Sequence, residues 1–252
     1  MLSLWNEIVA EDFDAKDAVA VLCVGSCEQH GLHLPLGTDA MLAEAVAKDA
    51  ARLANAKMVL LPVQKIGYSP HHRGFNGCVT LSQDAMFHYI LEICLCIYAN
   101  GFRKLMIVNG HGGNQSCLQT VVNELGARGY RQALLVRYWD LIADQINDLR
   151  TSQSGGMGHA GEFETSMMLH YYPELVKVER IKDYPPAQGN RYHGPDLFAK
   201  NCIYQYKCFD EYSKDGNVGQ PKLASAEKGA EFAHLAAQAL ADLADDFLAN
   251  TF

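Results

Sequence analysis

Residues 18–25 form an unbroken apolar run with several β-branched side chains, the pattern of a strand covered on both faces. A polar, glycine-rich stretch follows. Beyond it, Leu42, Ala45, Val46, Ala50 and Leu53 recur at helical spacing, and residues 57–63 give a second apolar run, so residues 18–63 read as a βαβ unit. The alternation continues. Residues 82–100 carry Phe87, Ile90, Leu91, Cys94 and Ile97 on one helical stripe, with Ser82 as cap and Gly101 as stop, and their cysteines are assigned to the core. Residues 103–109 predict a third strand, 115–125 a helix, and 131–139 a fourth strand followed by a short helix. A helical pattern opens at His159, and residues 224–248 predict a long amphipathic helix. Residues 172–220 show no regular period, and their expected role is to cover a pocket or make subunit contacts.

In open parallel sheets, ligands bind beyond the carboxyl ends of the strands, so the segments leaving those ends carry the candidate chemistry. The first is residues 25–39. Glu28 and His30 are two apart and share a side in extended backbone, and Thr38 is placed to cap the helix starting near Asp39. Two carboxylates and an imidazole suit zinc or manganese, although Thr38-Asp39 could equally be a plain helix start. The second segment, residues 109–114, contains His111 among glycines; it lacks the lysine of a Walker loop and the spacing of a dinucleotide fingerprint. The third holds His159, Glu162 and Glu164, whose two acids fall on different sides of a helix, so one of them is expected to enter a site. His71 and His72 lie in a polar loop, residues 67–81, and read as solvated or hydrogen-bonded imidazoles.

Composition narrows the classes. The 252 residues fit one domain, 1–252, with a sizeable core. A net charge of -8 without a basic stripe argues against nucleic acid as a partner. Eight scattered cysteines without paired Cys-x-x-Cys spacing read as reduced thiols. With no apolar run long enough for a bilayer and no leader pattern, the expectation is a cytoplasmic protein without membrane contact. Neither a Gly-x-Ser-x-Gly elbow nor a Cys-His signature points to a nucleophilic serine or cysteine.

Residues 26–39, 109–114 and 159–166 in this order resemble the creatininase (creatinine amidohydrolase) family, and the likeness extends through residues 67–81 and 223–229. The resemblance implies a three-layer α/β/α fold with a Rossmann-like, mainly parallel sheet, and a homo-oligomer, a hexamer-like assembly of dimers. It implies two divalent ions per chain, zinc and/or manganese. By match, Glu28 and His111 hold the first ion, His30 and Glu164 the second, and Asp39 bridges them. Glu164 is preferred to Glu162 because the family's ligand stands five residues after the histidine that matches His159. His159 matches the family's proton shuttle and Ser69 a residue lining the substrate pocket.

Two adjacent ions acidify a shared water and polarise a carbonyl, and a histidine can protonate a leaving nitrogen, so the expected reaction is hydrolysis of a small-molecule amide, cyclic or formyl. Creatinine hydrolysis itself, cleavage of a modified peptide, or a non-catalytic metal-binding protein are the alternatives. In the namesake an acid stands where this chain has Gly113 and a tryptophan where it has Gly155. Both differences predict an enlarged or neutralised pocket and a substrate bulkier than creatinine.

Overall fold

The computed structural model describes residues 2–185, 187–199 and 201–250. Strands β1 (Leu2–Leu4), β2 (Ala18–Val24), β3 (Lys57–Leu60), β4 (Lys104–Asn109) and β5 (Ala133–Arg137) form a parallel sheet in the order β1-β3-β2-β4-β5. The chain runs outward from β2 to β3, then returns past β2 to β4 and on to β5. The carboxyl ends of β2 and β4 therefore flank the switch point where such sheets bind ligands.

The continuous apolar run of β2 has the cause the pattern predicts. Val19, Val21 and Cys23 enter one core with Leu42 and Val46 of α1 (Thr38–Leu53), Phe163 of α5 (Glu162–Tyr171) and Phe232 and Leu240 of α6 (Ala226–Ala249). Ala20, Leu22 and Val24 enter the other, with Ile90 and Cys94 of α2 (Gln83–Ala99) and Leu118 and Val121 of α3 (Gln115–Ala127). The result is three layers, α/β/α, with helices on both faces of the sheet. A short helix, α4 (Ala143–Leu149), follows β5. Two small strands, β6 (Met157–His159) and β7 (Val218–Gly219), pair antiparallel beside the main sheet. Ser82 caps α2 by accepting the Ala85 amide at 3.2 Å, and Gly101 leaves the helix at φ +93°. No helix among the described residues is long and apolar enough to cross a membrane.

Several local expectations change. His159 ends β6 rather than opening a helix, because residues 157–159 find a distant partner in β7 that periodicity does not reveal. Thr38 is the first helical residue, one place too late to cap. Gly37 occupies the cap position, and the Thr38 hydroxyl donates to the Pro35 carbonyl at 2.7 Å. Strand β3 stops at Leu60 because Pro62 has no N–H to give the ladder; pairing with β2 resumes at Gln64, whose amide donates to Cys23 O at 2.9 Å. Cys96 is exposed, although all eight cysteines are free. The edge strand β1 is an element the sequence pattern does not announce.

Glu162, the acid set aside above, is buried at the start of α5 and accepts from the Thr151 and Ser152 amides at 3.0 and 2.8 Å and from Lys228 of α6. Burial works against its charge, but Lys228 and these donors outweigh burial and hold the carboxyl below its ordinary range. Replacing Lys228→Met leaves a buried carboxylate without its cation and should cost about 3 kcal/mol of stability in urea unfolding. Because the folded pKa is depressed, the pair's contribution is complete above the unfolded value near 4.3 and is lost as pH falls through the folded one. Equal stabilities at pH 7 would show that the pair contributes nothing.

Candidate active site

Residues 25–37 connect β2 to α1, and Gly25 lets the strand end meet the helix. A Cβ at Gly25 would collide with the Ala40 backbone. Asp39 is thereby fixed at the start of α1, facing the loop that carries Glu28 and His30, and the three side chains are buried together. His30 Nε2 lies 3.0 Å from Asp39 Oδ1, and its Nδ1–H donates to the Glu28 carbonyl at 3.1 Å, so Nε2 is the ring nitrogen that could hold a metal ion. From the end of β4, His111 stands between two acids, with Nδ1 3.0 Å from Asp39 Oδ2 and Nε2 3.2 Å from Glu28 Oε2.

Glu164 arrives from the first turn of α5 and accepts the Ala160 amide at 2.6 Å. Ala160 adopts φ +47°, a left-handed conformation uncommon for alanine, in the turn between β6 and α5 that presents both Glu164 and His159. His159 lies 2.8 Å from the Gln29 carbonyl through Nε2. A carbonyl only accepts, so Nε2 carries the proton and Nδ1 keeps its lone pair, 3.8 Å from Glu28 Oε1. All five residues matched as ligands, together with His159, thus converge on one point.

Ser69 lies behind Glu28. Its hydroxyl donates to Glu28 Oε2 at 2.5 Å, alongside Ser26 at 2.8 Å, so it orients the carboxylate. The sequence reading did not anticipate His71 and His72. A single 3-10 turn, Pro70–His72, drives both into the cluster. His72 is fully buried with Nε2 3.2 Å from Glu28 Oε1 and its ring stacked 4.1 Å from Phe209, while His71 lies parallel to His111 at 5.4 Å. The dipeptide could have been found only by knowing that residue 209 folds over it. Phe209 and Leu197 also give residues 172–220 their role, since both line the cavity of about 90 Å³ between the acids and the imidazoles.

The surroundings of Gly113 and Gly155 correct one expectation, that their missing side chains leave open space in the pocket. A Cβ on Gly113 would meet His111, the Tyr68 carbonyl at 2.6 Å and His71 Cε1 at 2.8 Å; one on Gly155, at φ +87°, would strike the Ala187 backbone. The chain fills both spaces itself. Trp139 lines the cavity as well.

The electrostatics describe a cluster short of cations. Burial alone would lower both His30 and His111, but Asp39 and Glu164 raise His30 to about 10, and Glu28 and Asp39 raise His111 to about 9. Burial lifts Glu164 to about 7 against the pull of His30, and likewise raises Glu28. Asp39 goes the other way because His30 and His111 outweigh its burial. Burial and the charge at His30 hold His159 well below its ordinary value, so it is neutral. Among the described residues, Glu28 Oε1, Asp39 Oδ2 and both His72 nitrogens are buried without a hydrogen-bond partner, although Glu28 Oε1 and Asp39 Oδ2 have imidazole nitrogens within 3.2 Å. Hard oxygens and imidazoles packed this way, with valences left over, fit divalent ions.

The structure is an α/β/α fold with an open parallel sheet and, beyond its switch point, a buried cluster of acids and imidazoles able to hold metal ions. Comparison with known proteins gives the family. The creatininase family model, described as creatinine amidohydrolase, matches residues 3–244, and the chain belongs to this family. It is 29% identical over 253 residues to creatinine amidohydrolase of Pseudomonas putida, covering 94% of this chain and 92% of that protein. It is 33% identical over 217 residues to a mycofactocin precursor peptide peptidase of Mycobacterium tuberculosis, covering 83% and 77%. A solved manganese creatininase superposes with TM-score 0.80 at 28% identity, covering 96% of this chain and 97% of that one. Other solved creatininases include a zinc–zinc form and one complexed with creatine, and further relatives are a 3-dehydro-scyllo-inosose hydrolase of Thermotoga maritima and a formylaminopyrimidine deformylase of Methanococcus maripaludis. The family is one of hydrolytic enzymes.

His33 ties the first site loop to α5, its Nε2 2.9 Å from Thr165 Oγ1 next to Glu164. Burial, and then the neighbouring His30, depress its pKa to about 4, so the folded protein holds it neutral while the unfolded chain protonates it near 6.5. Stability is therefore lost as pH falls below 6.5. His33→Gln should remove about 2 kcal/mol of the wild-type loss between pH 7.5 and 5, read from urea unfolding at both values. Parallel pH profiles for the two proteins would rule the linkage out.

Proposed function

We propose that this chain is a metal-dependent amidohydrolase that cleaves a small non-peptide amide, cyclic or N-formyl. The observation that carries the reading is the convergence of three buried carboxylates and a neutral, lone-pair-bearing His159 on a cavity of about 90 Å³. Glu28 and His111 would hold one divalent ion, His30 and Glu164 a second, and Asp39, with an oxygen toward each of His30 and His111, would lie between them. The manganese and zinc–zinc forms of related creatininases support either metal. When bound, two such ions acidify water and polarise an amide carbonyl.

The chain's own residues supply the proton traffic. His159 Nδ1 accepts the proton as water adds to the carbonyl carbon, and Nε2 stays bonded to the Gln29 carbonyl, which fixes the ring through the transfer. The resulting imidazolium then gives that proton to the leaving nitrogen as the C–N bond breaks, yielding carboxylic acid and amine. Neighbouring Glu28 Oε1, 3.8 Å away, favours the transient imidazolium. Leu197 and Phe209 cover the cavity and limit water, which favours a compact substrate over a peptide. Homo-oligomer formation, hexamer-like as in the family resemblance, is supported by the exposed Tyr192, Ile203, Tyr204, Tyr206 and Tyr212 on residues 172–220.

Product release from creatinine, small cyclic amides, formamides and short peptides tests the reading, together with His159→Ala. We expect kcat/KM to be highest for a compact cyclic or formyl amide, and His159→Ala to keep its metal while turnover falls about two to four orders of magnitude. Preference for peptides would replace the substrate class by the peptidase alternative. Unchanged turnover in the variant would remove His159 from the chemistry.

A further inference from the structure

We propose that His71 is an additional ligand of the ion position held by Glu28 and His111, and that it biases that position toward zinc. This rests on the two-ion reading above and goes beyond the ligands matched by resemblance.

Glu28, His71 and His111 each offer a ligand atom, and these atoms all lie within 4.8 Å of one another. The two imidazole planes differ by 5° at a centroid spacing of 5.4 Å, so the rings lie parallel, each with a ring nitrogen close to a Glu28 oxygen. His71 is fixed there from both ends. Ser69, just before the turn, is bonded to Glu28 Oε2, and His72, just after His71, is clamped between Glu28 and Phe209. The His71 ring nitrogens have no hydrogen-bond partner among the described residues, which leaves them available to an ion.

Gly113 supplies the complementary half of the argument. A side chain there would start 2.8 Å from His71 Cε1, 2.6 Å from the Tyr68 carbonyl and closer still to His111 Nε2, so this packing, to which His71 contributes, leaves no room for a side chain at position 113. In this chain the loop after β4 carries no side chain at position 113, and the turn Pro70–His72 places the His71 imidazole beside that glycine and His111. Replacing an oxygen donor by nitrogen changes which metal is favoured. Carboxylate-rich sets suit manganese, whereas imidazole suits zinc, so Glu28, Asp39, His111 and His71 make a zinc-type set.

Zinc and manganese binding by the wild type, His71→Ala and His71→Asp, measured by competition with a chromogenic chelator and by elemental analysis, tests the proposal. Wild type should bind two zinc ions. His71→Ala should keep one tightly and hold the other at least about tenfold more weakly, since loss even of a ligand's hydrogen-bonding partner costs about 10–100-fold. His71→Asp should recover tight binding with a shift toward manganese. X-ray absorption of the two-zinc wild type gives a readout independent of any variant's folding, with His30, His111 and His71 contributing three imidazoles across the pair. Two imidazoles across the pair, or a His71→Ala titration that overlays the wild type, would overturn the role of His71 while leaving two ions in place. A wild type that binds no zinc would overturn the two-ion reading and this proposal with it.

Discussion

Burying three carboxylates beside one another is the constraint on which the rest of this molecule depends. Glu28, Asp39 and Glu164 are almost wholly removed from water at the mouth of an apolar sheet, where like charges cannot all persist without cations. The chain answers in part with protons. His30 and His111 are pulled upward to hold Asp39 ionised, while Glu28 and Glu164 are pushed toward the neutral form. In the proposed two-ion reading, divalent ions would replace those protons, and their binding would be coupled to proton release.

The sheet exists to bring that cluster together. Strands β2 and β4 are adjacent and parallel, and the chain leaves them in loops that meet across the switch point. Gly25 brings β2 close to α1 and thereby fixes Asp39 against His30, while Asn114 bonds the Gly25 carbonyl at 3.0 Å and the Tyr68 amide at 2.9 Å, joining three loops. The remaining residues arrive from the end of β6, from α5 and from the turn at His71. Misplacing any one loop leaves a buried charge or an unpaired imidazole, so site geometry and fold stability are coupled.

Most of the scaffold was legible in the sequence because it is written in local patterns. A fully apolar β2 implies helices on both faces, and the opposite projection of Glu162 and Glu164 separates a structural acid held by Lys228 from one that faces the cavity. What the sequence concealed depends on contacts distant in the chain. His72 is set by Phe209, β6 by β7, the space beside Gly113 by Tyr68 and His71, and that beside Gly155 by Ala187. A glycine in a motif records only a missing side chain, and whether the gap stays open is decided by whatever packs into it. Here the gaps are filled.

Asp39 is the side chain common to both proposed ion positions, and its replacement therefore tests the account most directly. Elemental analysis of purified wild type and Asp39→Ala, each confirmed folded by circular dichroism, should find two divalent ions per chain in the first and essentially none in the second. Full metal occupancy in Asp39→Ala would contradict the bridging arrangement and, with it, the physical reason offered for burying these acids together.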